Sequence, residues 1–384
     1  MGDPHTRHAT CALVRLDHLT HNLQVLQQLV GKRPLWPAIK ANAYGHDATL
    51  VARHLIELGH DTLCVARAEE AVVLRDAGVR ATLLLLSASL PAESECIVEH
   101  DLEPVICTAE AVDALARAAA RAGKRIAVHL KVDTGMGRIG IRPDEVPALL
   151  ERCRSQPSLR LRGLMSHFPC ADEADKSFSR QQIRAFADVC EDASRFGPLV
   201  RHLANSAAIF DLPESHLDAV RPGIAIYGLA PSAQIANPRV HELRPVLEWR
   251  ARISFLKEVP AGTGLSYGHT FHTTRPSLIA TLPAGYGDGL SRRLSNGLDV
   301  LVHGQRCPLV GTITMDQSLV DVTELRGRMS VGDEVCLLGR QGEEEVSADE
   351  WARRLGTINY EIVTAILPRV PRIGVSDGRA RPPI

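Results

Sequence analysis

Ile126-Ala127-Val128-His129-Leu130-Lys131-Val132-Asp133-Thr134-Gly135-Met136-Gly137-Arg138-Ile139-Gly140 is the stretch on which the reading of the fold turns. Its first seven residues form a mostly apolar run that predicts a strand. Gly135-x-Gly137-x-x-Gly140 then satisfies the spacing of a dinucleotide-binding turn. Such a turn needs a helix N-terminus against the pyrophosphate, yet Ile141-Arg142-Pro143 separates the last glycine from the next helix. A turn that shapes a substrate pocket is the better reading.

Outward from this run, short apolar segments recur near 36–40, 62–66, 82–86, 103–107, 159–166, 200–204 and 218–221. Between them lie stretches with the i, i+3, i+4 apolar spacing of helices, such as Ala48 to Leu58, Ala68 to Ala77 and Ala109 to Ala122. Eight β/α units in roughly 200 residues fit a (β/α)8 barrel better than an open doubly wound sheet, although the two share the same alternation. Residues 17–235 are read as the barrel. The Pro-rich stretch Pro231 to Pro245 is the junction, and 236–384 is read as a predominantly β domain. Its expected strands lie in Val246–Val259, Ser277–Pro283, Asp299–Val302, Leu309–Val322 and Gly332–Leu338, with helices at Ala348–Leu355 and Ile362–Leu367. Residues 1–16, whose strand Cys11–Leu16 comes too early for a barrel, are expected to join the C-terminal sheet.

Composition agrees with two domains, because 384 residues exceed the roughly 250–300 at which single cores stop growing. A formal net charge of −1 argues against a nucleic-acid or anionic-membrane surface, either of which needs a concentrated basic face. Small molecules are the expected ligands. Nine cysteines with no C-x-x-C pair suit a reducing cytoplasm. No apolar run approaches the roughly 20 residues of a membrane span. Met1-Gly2-x-x-x-Thr6 lacks the basic cluster of a second membrane anchor, and His5-x-x-His8 and His18-x-x-His21 lack partner ligands, so no metal is expected.

In a β/α barrel the reactive groups sit where strands end. There the sequence places Lys40, Lys131, Asp133, His167, Asn205, Ser206 and Arg221 to Ile224. A lysine at the end of an apolar run is costly to bury unpaired, so Lys40 is either an ion-pair partner or an amine that reacts with a carbonyl. The chain has only five tyrosines, and Tyr267, Tyr286 and Tyr360 lie in turns or beside polar residues rather than in apolar runs.

Ile39-Lys40-Ala41-Asn42-Ala43-Tyr44-Gly45-His46, Leu130 to Gly140, the tyrosine segments and Gly311-Thr312-Ile313-Thr314-Met315-Asp316-Gln317 together resemble alanine racemases, from about Leu13 to Ile373. The resemblance implies a pyridoxal 5'-phosphate (PLP) enzyme that converts L-alanine to D-alanine for peptidoglycan. An amino-acid Cα–H is a very weak acid, so the PLP imine supplies an electron sink and two bases work on opposite faces. Lys40 would carry the cofactor and serve one face, and Tyr267 the other. Their ordinary pKa values, about 10.4 and 10, need depressing, for which Arg138 and Arg221 are the nearby cations. The phosphate would be held by Tyr44, Ser206, Tyr360 and the N–H groups of Gly223 and Ile224, with Asn205 positioning that edge. Arg221 would face the pyridine nitrogen, with His167 linking it to Tyr267. The Met315 N–H would receive the substrate carboxylate and Arg138 would bind substrate beside the cofactor, with Asp316 in support and Tyr286 at the substrate's way in. Lys131 would be carbamylated and orient Arg138, the alternative being an ion pair with Asp133.

The resemblance further implies a cytoplasmic homodimer in which each site takes its barrel from one subunit and Tyr267 and Met315 from the other. Serine or broad-specificity racemases share the framework. A decarboxylase of the same layout uses an acidic residue where Arg221 stands. A non-catalytic PLP-binding barrel protein ends after the barrel, whereas this chain continues well beyond it.

Overall fold

The computed structural model describes residues 8–376 and the backbone of 379–380, so the Met1-Gly2 pattern and His5 lie outside the described residues. The chain divides into two compact units. Of the described residues, 19–43 and 48–244 make up one, and 8–18, Tyr44–Asp47 and those from Pro245 onward the other.

In the first unit, β2 (Thr62–Val65), β3 (Thr82–Leu85), β4 (Glu103–Ile106), β5 (Ile126–Lys131), β6 (Leu159–Met165) and β7 (Val200–His202) form a parallel sheet in sequence order, following β1 (Thr10–Arg15) of the other unit. β2, β4 and β5 are buried at every position. That explains their near-continuous apolar character, since parallel strands are covered on both faces. Isolated parallel bridges Ala38↔Cys64, His202↔Ala219 and Leu35↔Val220 close the ring through the two remaining segments. The runs 36–40 and 218–221 therefore complete an eight-segment barrel, but as single bridges rather than ladders. Helices Ala48–Glu57, Ala68–Asp76, Ser94–Glu99, Ala109–Arg121, Val146–Arg154 and Ser177–Ala193 alternate with the strands. The expectation of a (β/α)8 barrel followed by a mainly β domain is borne out.

In the second unit β1 lies between β8 (Leu247–Arg252), antiparallel, and Arg372–Ser376, parallel, inside an eight-stranded sheet. A separate three-stranded sheet joins β9 (Phe255–Val259), Ser277–Leu282 and Ser318–Asp321. The expected β-rich segment Val246–Val259 holds two strands, in different sheets. The expected strand Leu309–Val322 is mostly a loop, because Thr314 N–H donates to Gln317 O (2.9 Å) and Gln317 N–H to Thr314 Oγ1 (3.1 Å), turning the chain on itself. The second C-terminal helix starts earlier than expected and spans Asn359–Thr364, which puts Tyr360 in a helix rather than a turn. Among the described residues no helix is long and apolar enough to cross a membrane.

Candidate active site

Lys40 does not end a strand. It begins a left-handed helical turn in which Ala41, Asn42 and Ala43 have φ/ψ of 52/51, 53/48 and 54/49, and Tyr44 has φ 52. L-residues resist this conformation by about 1–2 kcal/mol each, so a run of them needs outside support. Support comes from Glu70, whose Oε1 accepts the Ala41 N–H (2.7 Å) and whose Oε2 accepts the Ala66 N–H (2.7 Å). Asn42 Oδ1 accepts the Ala48 N–H (2.8 Å), and Ala43 N–H reaches Ile39 O (2.8 Å). Burial, and after it the Arg138 cation, pull the Lys40 amine below its ordinary pKa, with Glu70 and Cys64 opposing. The shift makes the neutral, nucleophilic amine more accessible than on a solvated lysine.

Arg221, 3 % exposed, donates through Nη1 to His202 Nδ1 (2.7 Å) and through Nη2 to Ser166 O (2.7 Å) and Leu203 O (3.1 Å). His167 Nδ1 is 3.4 Å from Nη2. Burial, and after it the Arg221 cation, hold His167 and His202 well below the ordinary histidine value, so both rings are neutral. Burial brings Arg221 itself down to about 10, which still leaves it cationic near neutrality.

Lys131, 1 % exposed, has no hydrogen-bond partner at Nζ. The alternative ion pair with Asp133 is absent. Asp133 Oδ1 accepts from Gly135 N–H (2.9 Å), and its two oxygens accept from Gly137 N–H (3.1 and 3.0 Å). The amides that a dinucleotide phosphate would need are therefore turned onto the Asp133 carboxylate, whose negative charge would repel that phosphate, which removes the fingerprint reading of this turn. Burial, then the Arg221 and Arg138 cations, drive the Lys131 ammonium well below its ordinary pKa. Arg138 itself is exposed.

Asn205 caps the helix Ser206–Asp211, its Oδ1 accepting from Ala208 N–H (3.1 Å). Ser206 Oγ accepts from Gly223 N–H (2.8 Å) and Ala225 N–H (3.3 Å). These donors flank Ile224 at the start of the short helix Ile224–Tyr227, a grouping of N–H dipoles that suits an anion.

In the second unit, Tyr44 and Tyr360 stand 6.3 Å apart between ring centroids. Tyr267 is 74 % exposed, on a turn pinned by Ser266 Oγ–H donating to Thr312 O (2.6 Å) and Thr312 Oγ1–H donating to Tyr267 O (2.8 Å). Tyr286 N–H and Gly287 N–H donate to Thr314 O (3.0 Å) and Met315 O (2.8 Å). Arg369 brackets the same corner, donating to both oxygens of buried Asp288 (2.6 and 2.9 Å), to Asp316 Oδ1 (2.9 Å) and to Met315 O (3.2 Å).

The two units match the two halves of one family. Residues 14–231 match the alanine racemase N-terminal domain and 246–374 the C-terminal domain. The chain belongs to the alanine racemase family. It is similar to the alanine racemases of Halothermothrix orenii (44 % identical, covering 94 % of this chain and 96 % of the relative) and Sorangium cellulosum (44 %, covering 94 % and 98 %). Among solved structures it is similar to the alanine racemase of Clostridium difficile 630 (TM-score 0.93, 34 % identical, 98 % of each chain). That of Bacillus anthracis with bound L-Ala-P aligns at TM-score 0.90, 38 % identical, over 97 % of this chain and 96 % of that one. The family resemblance drawn from the motifs is thereby borne out.

Within this alanine racemase framework, sequence reasoning missed Glu70, Ser166, His202 and Arg369. Glu70 acts on the backbone N–H of Ala41 and Ser166 meets Arg221 through its own backbone carbonyl, so neither side-chain type signals the contact, and Arg369 lies far along the chain from Asp288 and Met315. For His202 a signal existed, a polar residue in the apolar run 200–204.

Proposed function

We propose that this protein interconverts L- and D-alanine with PLP carried on Lys40, supplying D-alanine to peptidoglycan. The observation that carries the reading is the Lys40 amine, shifted toward its neutral form by burial and Arg138 at the head of a braced left-handed turn. The residues present fit the cofactor. Ser206 with the N–H groups around Gly223 and Ile224 suits its phosphate, and the family resemblance adds Tyr44 and Tyr360 as phosphate ligands. The buried Arg221, a donor-only guanidinium, suits its ring nitrogen. When bound, PLP supplies the electron sink that makes the substrate Cα–H acidic enough to remove.

The chain's own groups do the rest. Lys40 Nζ takes or returns the Cα proton on one face, and the Tyr267 hydroxyl works on the opposite face. The Met315 N–H holds the substrate carboxylate, and Arg138 binds substrate beside the cofactor. Tyr286 narrows the way in, which favours a small side chain. Tyr267 and Met315 are both more than half exposed on the β unit, which supports a homodimer in which they complete the partner's barrel site. Nine free cysteines fit a reducing cytoplasm.

Lys131 is read as a carbamate. A neutral amine adds to carbon dioxide, a C–N bond forms and one proton leaves to solvent, which gives an anion beside Arg138 and Arg221. Its unpartnered Nζ and depressed ammonium support this. Carbon-13 NMR after exchange with labelled bicarbonate should show one carbamate carbon that is lost in Lys131→Ala.

Borohydride reduction followed by peptide mapping should place the pyridoxyl group on Lys40. Rates over a panel of L-amino acids should be highest for alanine. A label on Lys131, or racemisation of serine faster than alanine, would overturn the respective assignment.

A further inference from the structure

Behind Arg221 a line of buried polar groups crosses the barrel interior. Arg221 Nη1 is 2.7 Å from His202 Nδ1, His202 Nε2 is 2.9 Å from His129 Nδ1, and His129 Nε2 is 3.2 Å from Glu103 Oε2. Glu103 also accepts from Arg162 Nη1. The members come from β4, β5, β6, β7 and the closing segment after β7, so no local motif announces them. Both imidazoles are fully buried, with Trp36 edge-on at 5.9 Å from His129 and 4.9 Å from His202.

We propose that Glu103, acting through His129 and His202, is a positioning residue for Arg221: it orients a one-way chain of hydrogen bonds that fixes both imidazoles as neutral Nε2–H tautomers and anchors the guanidinium. The direction follows from donor inventory. A guanidinium has no acceptor, so His202 Nδ1 must present its lone pair and carry its proton on Nε2. That proton points at His129 Nδ1, which must accept in turn. The His129 proton then lies on Nε2 and points at a carboxylate. Reversing any link would require a proton to leave Arg221.

The surroundings agree. Burial keeps both histidines below their ordinary value, reinforced for His202 by the Arg221 cation, while Glu103 opposes it for His129 without overcoming it. Burial would raise Glu103, yet the hydrogen bonds from His129 and Arg162 outweigh it and keep the carboxylate ionised. Gly163 on β6 makes the room. A Cβ there would lie 2.6 Å from His129 Nδ1 and 2.6 Å from Val200 O.

The chain answers a physical problem. The hydrogen-bond partners of Arg221 are His202, His167 and two backbone carbonyls, none of them a carboxylate. Polarised imidazoles pass part of the Glu103 charge to His202 Nδ1, because linked hydrogen bonds strengthen one another in a low dielectric. Arg221 is thereby stabilised from behind while its charge is left available in front. The tautomers and the anchoring follow from the barrel alone. Only the consequence for turnover rests on the racemase reading above.

The test uses full-length protein labelled with nitrogen-15 histidine, with and without PLP, with the two signals assigned by His129→Asn and His202→Asn. Both rings should be neutral Nε2–H tautomers from about pH 6 to pH 8, with and without cofactor. Glu103→Gln keeps the shape and removes the charge. It should shift the His129 Nε2 resonance and lower kcat for alanine by roughly tenfold, with KM within about twofold, and Glu103→Asp should restore part of both. Gly163→Ala, which alters no charge, should give the same signature by displacing the His129 ring. An Nδ1–H or doubly protonated ring in the wild type overturns the proposal, whatever the variants do. So do Glu103→Gln and Gly163→Ala proteins with wild-type tautomers and kcat. If either variant fails to fold, the wild-type tautomers and the other variant decide. Wild-type protein with both Nε2–H tautomers but no racemase activity would support the chain and reject the racemase reading. Active protein with an Nδ1–H tautomer would reject the chain alone.

Discussion

The barrel and the β unit contribute candidate residues of opposite kinds. In the barrel, Arg221, Lys131 and His202 are at most 3 % exposed, and burial displaces the proton affinity of each. In the β unit, Tyr267, Tyr286 and Met315 are 74 %, 41 % and 53 % exposed, and what is fixed there is the backbone beneath them. The contrast separates two tasks. Tuning a proton needs a low dielectric and neighbouring charge, which a barrel interior supplies. Presenting a side chain to another surface needs a stiff turn and no burial until that surface arrives.

The sharpest way to break this contrast is to remove one base from each region. Lys40→Ala and Tyr267→Ala should each lose about ten-thousandfold in racemisation. If the proposed homodimer with composite sites forms, the two inactive proteins, mixed and allowed to exchange subunits, should recover roughly a quarter of wild-type activity, since half the dimers would be mixed and each would have one intact site. No recovery despite demonstrated exchange would place both bases on one chain.

The next largest effect should come from the scaffold of the β unit. Arg369→Leu leaves buried Asp288 without its cation and frees Asp316 and the Met315 carbonyl. Kinetic assays should show kcat/KM falling by about ten- to a hundredfold, and thermal melts a lower Tm. A variant with wild-type kinetics would mean that the bracket does not set the corner.

Acid should expose the barrel's protonation tuning. His129, His167 and His202 have folded pKa values below the ordinary 6.5. Between the folded and unfolded values the unfolded chain binds protons that the native chain refuses. The stability is therefore present above about pH 6.5 and is lost as pH falls below it, with up to about three protons taken up on unfolding. Urea midpoints measured across pH 7 to 5 should fall accordingly. Flat midpoints would mean that the rings protonate freely in the fold.

The smallest effect tests strain. Ala41 is exposed and left-handed, so Ala41→Gly should stabilise by about 1 kcal/mol in urea unfolding, against the usual sign for this substitution. Destabilisation would show that the turn carries no such cost.

Much of this protein was legible from residues alone. The barrel could be read because parallel strands buried on both faces are continuous apolar runs. Lys40, Asp133, Ser206 and Arg221 could be found because polar residues that follow apolar runs fall on the rim where a barrel exposes its reactive groups, although Lys40 opens a turn and Ser206 a helix. The texture change after residue 235 likewise reflects a local property, the spacing of glycine turns. Other features needed the folded chain. The left-handed turn at Ala41–Tyr44 contains no glycine before Gly45, and it is held by Glu70 from a separate helix. The loop at Gly311–Gln317 has the composition of a strand, but its hydrogen bonds close on themselves. The isolation of Lys131 and the line from Arg221 to Glu103 depend on which side chains four or five strands turn inward at one level. Residue order sets secondary structure and marks strand ends through local spacing, whereas proton affinity is set by burial and by neighbours distant in sequence, which exist only once the barrel closes.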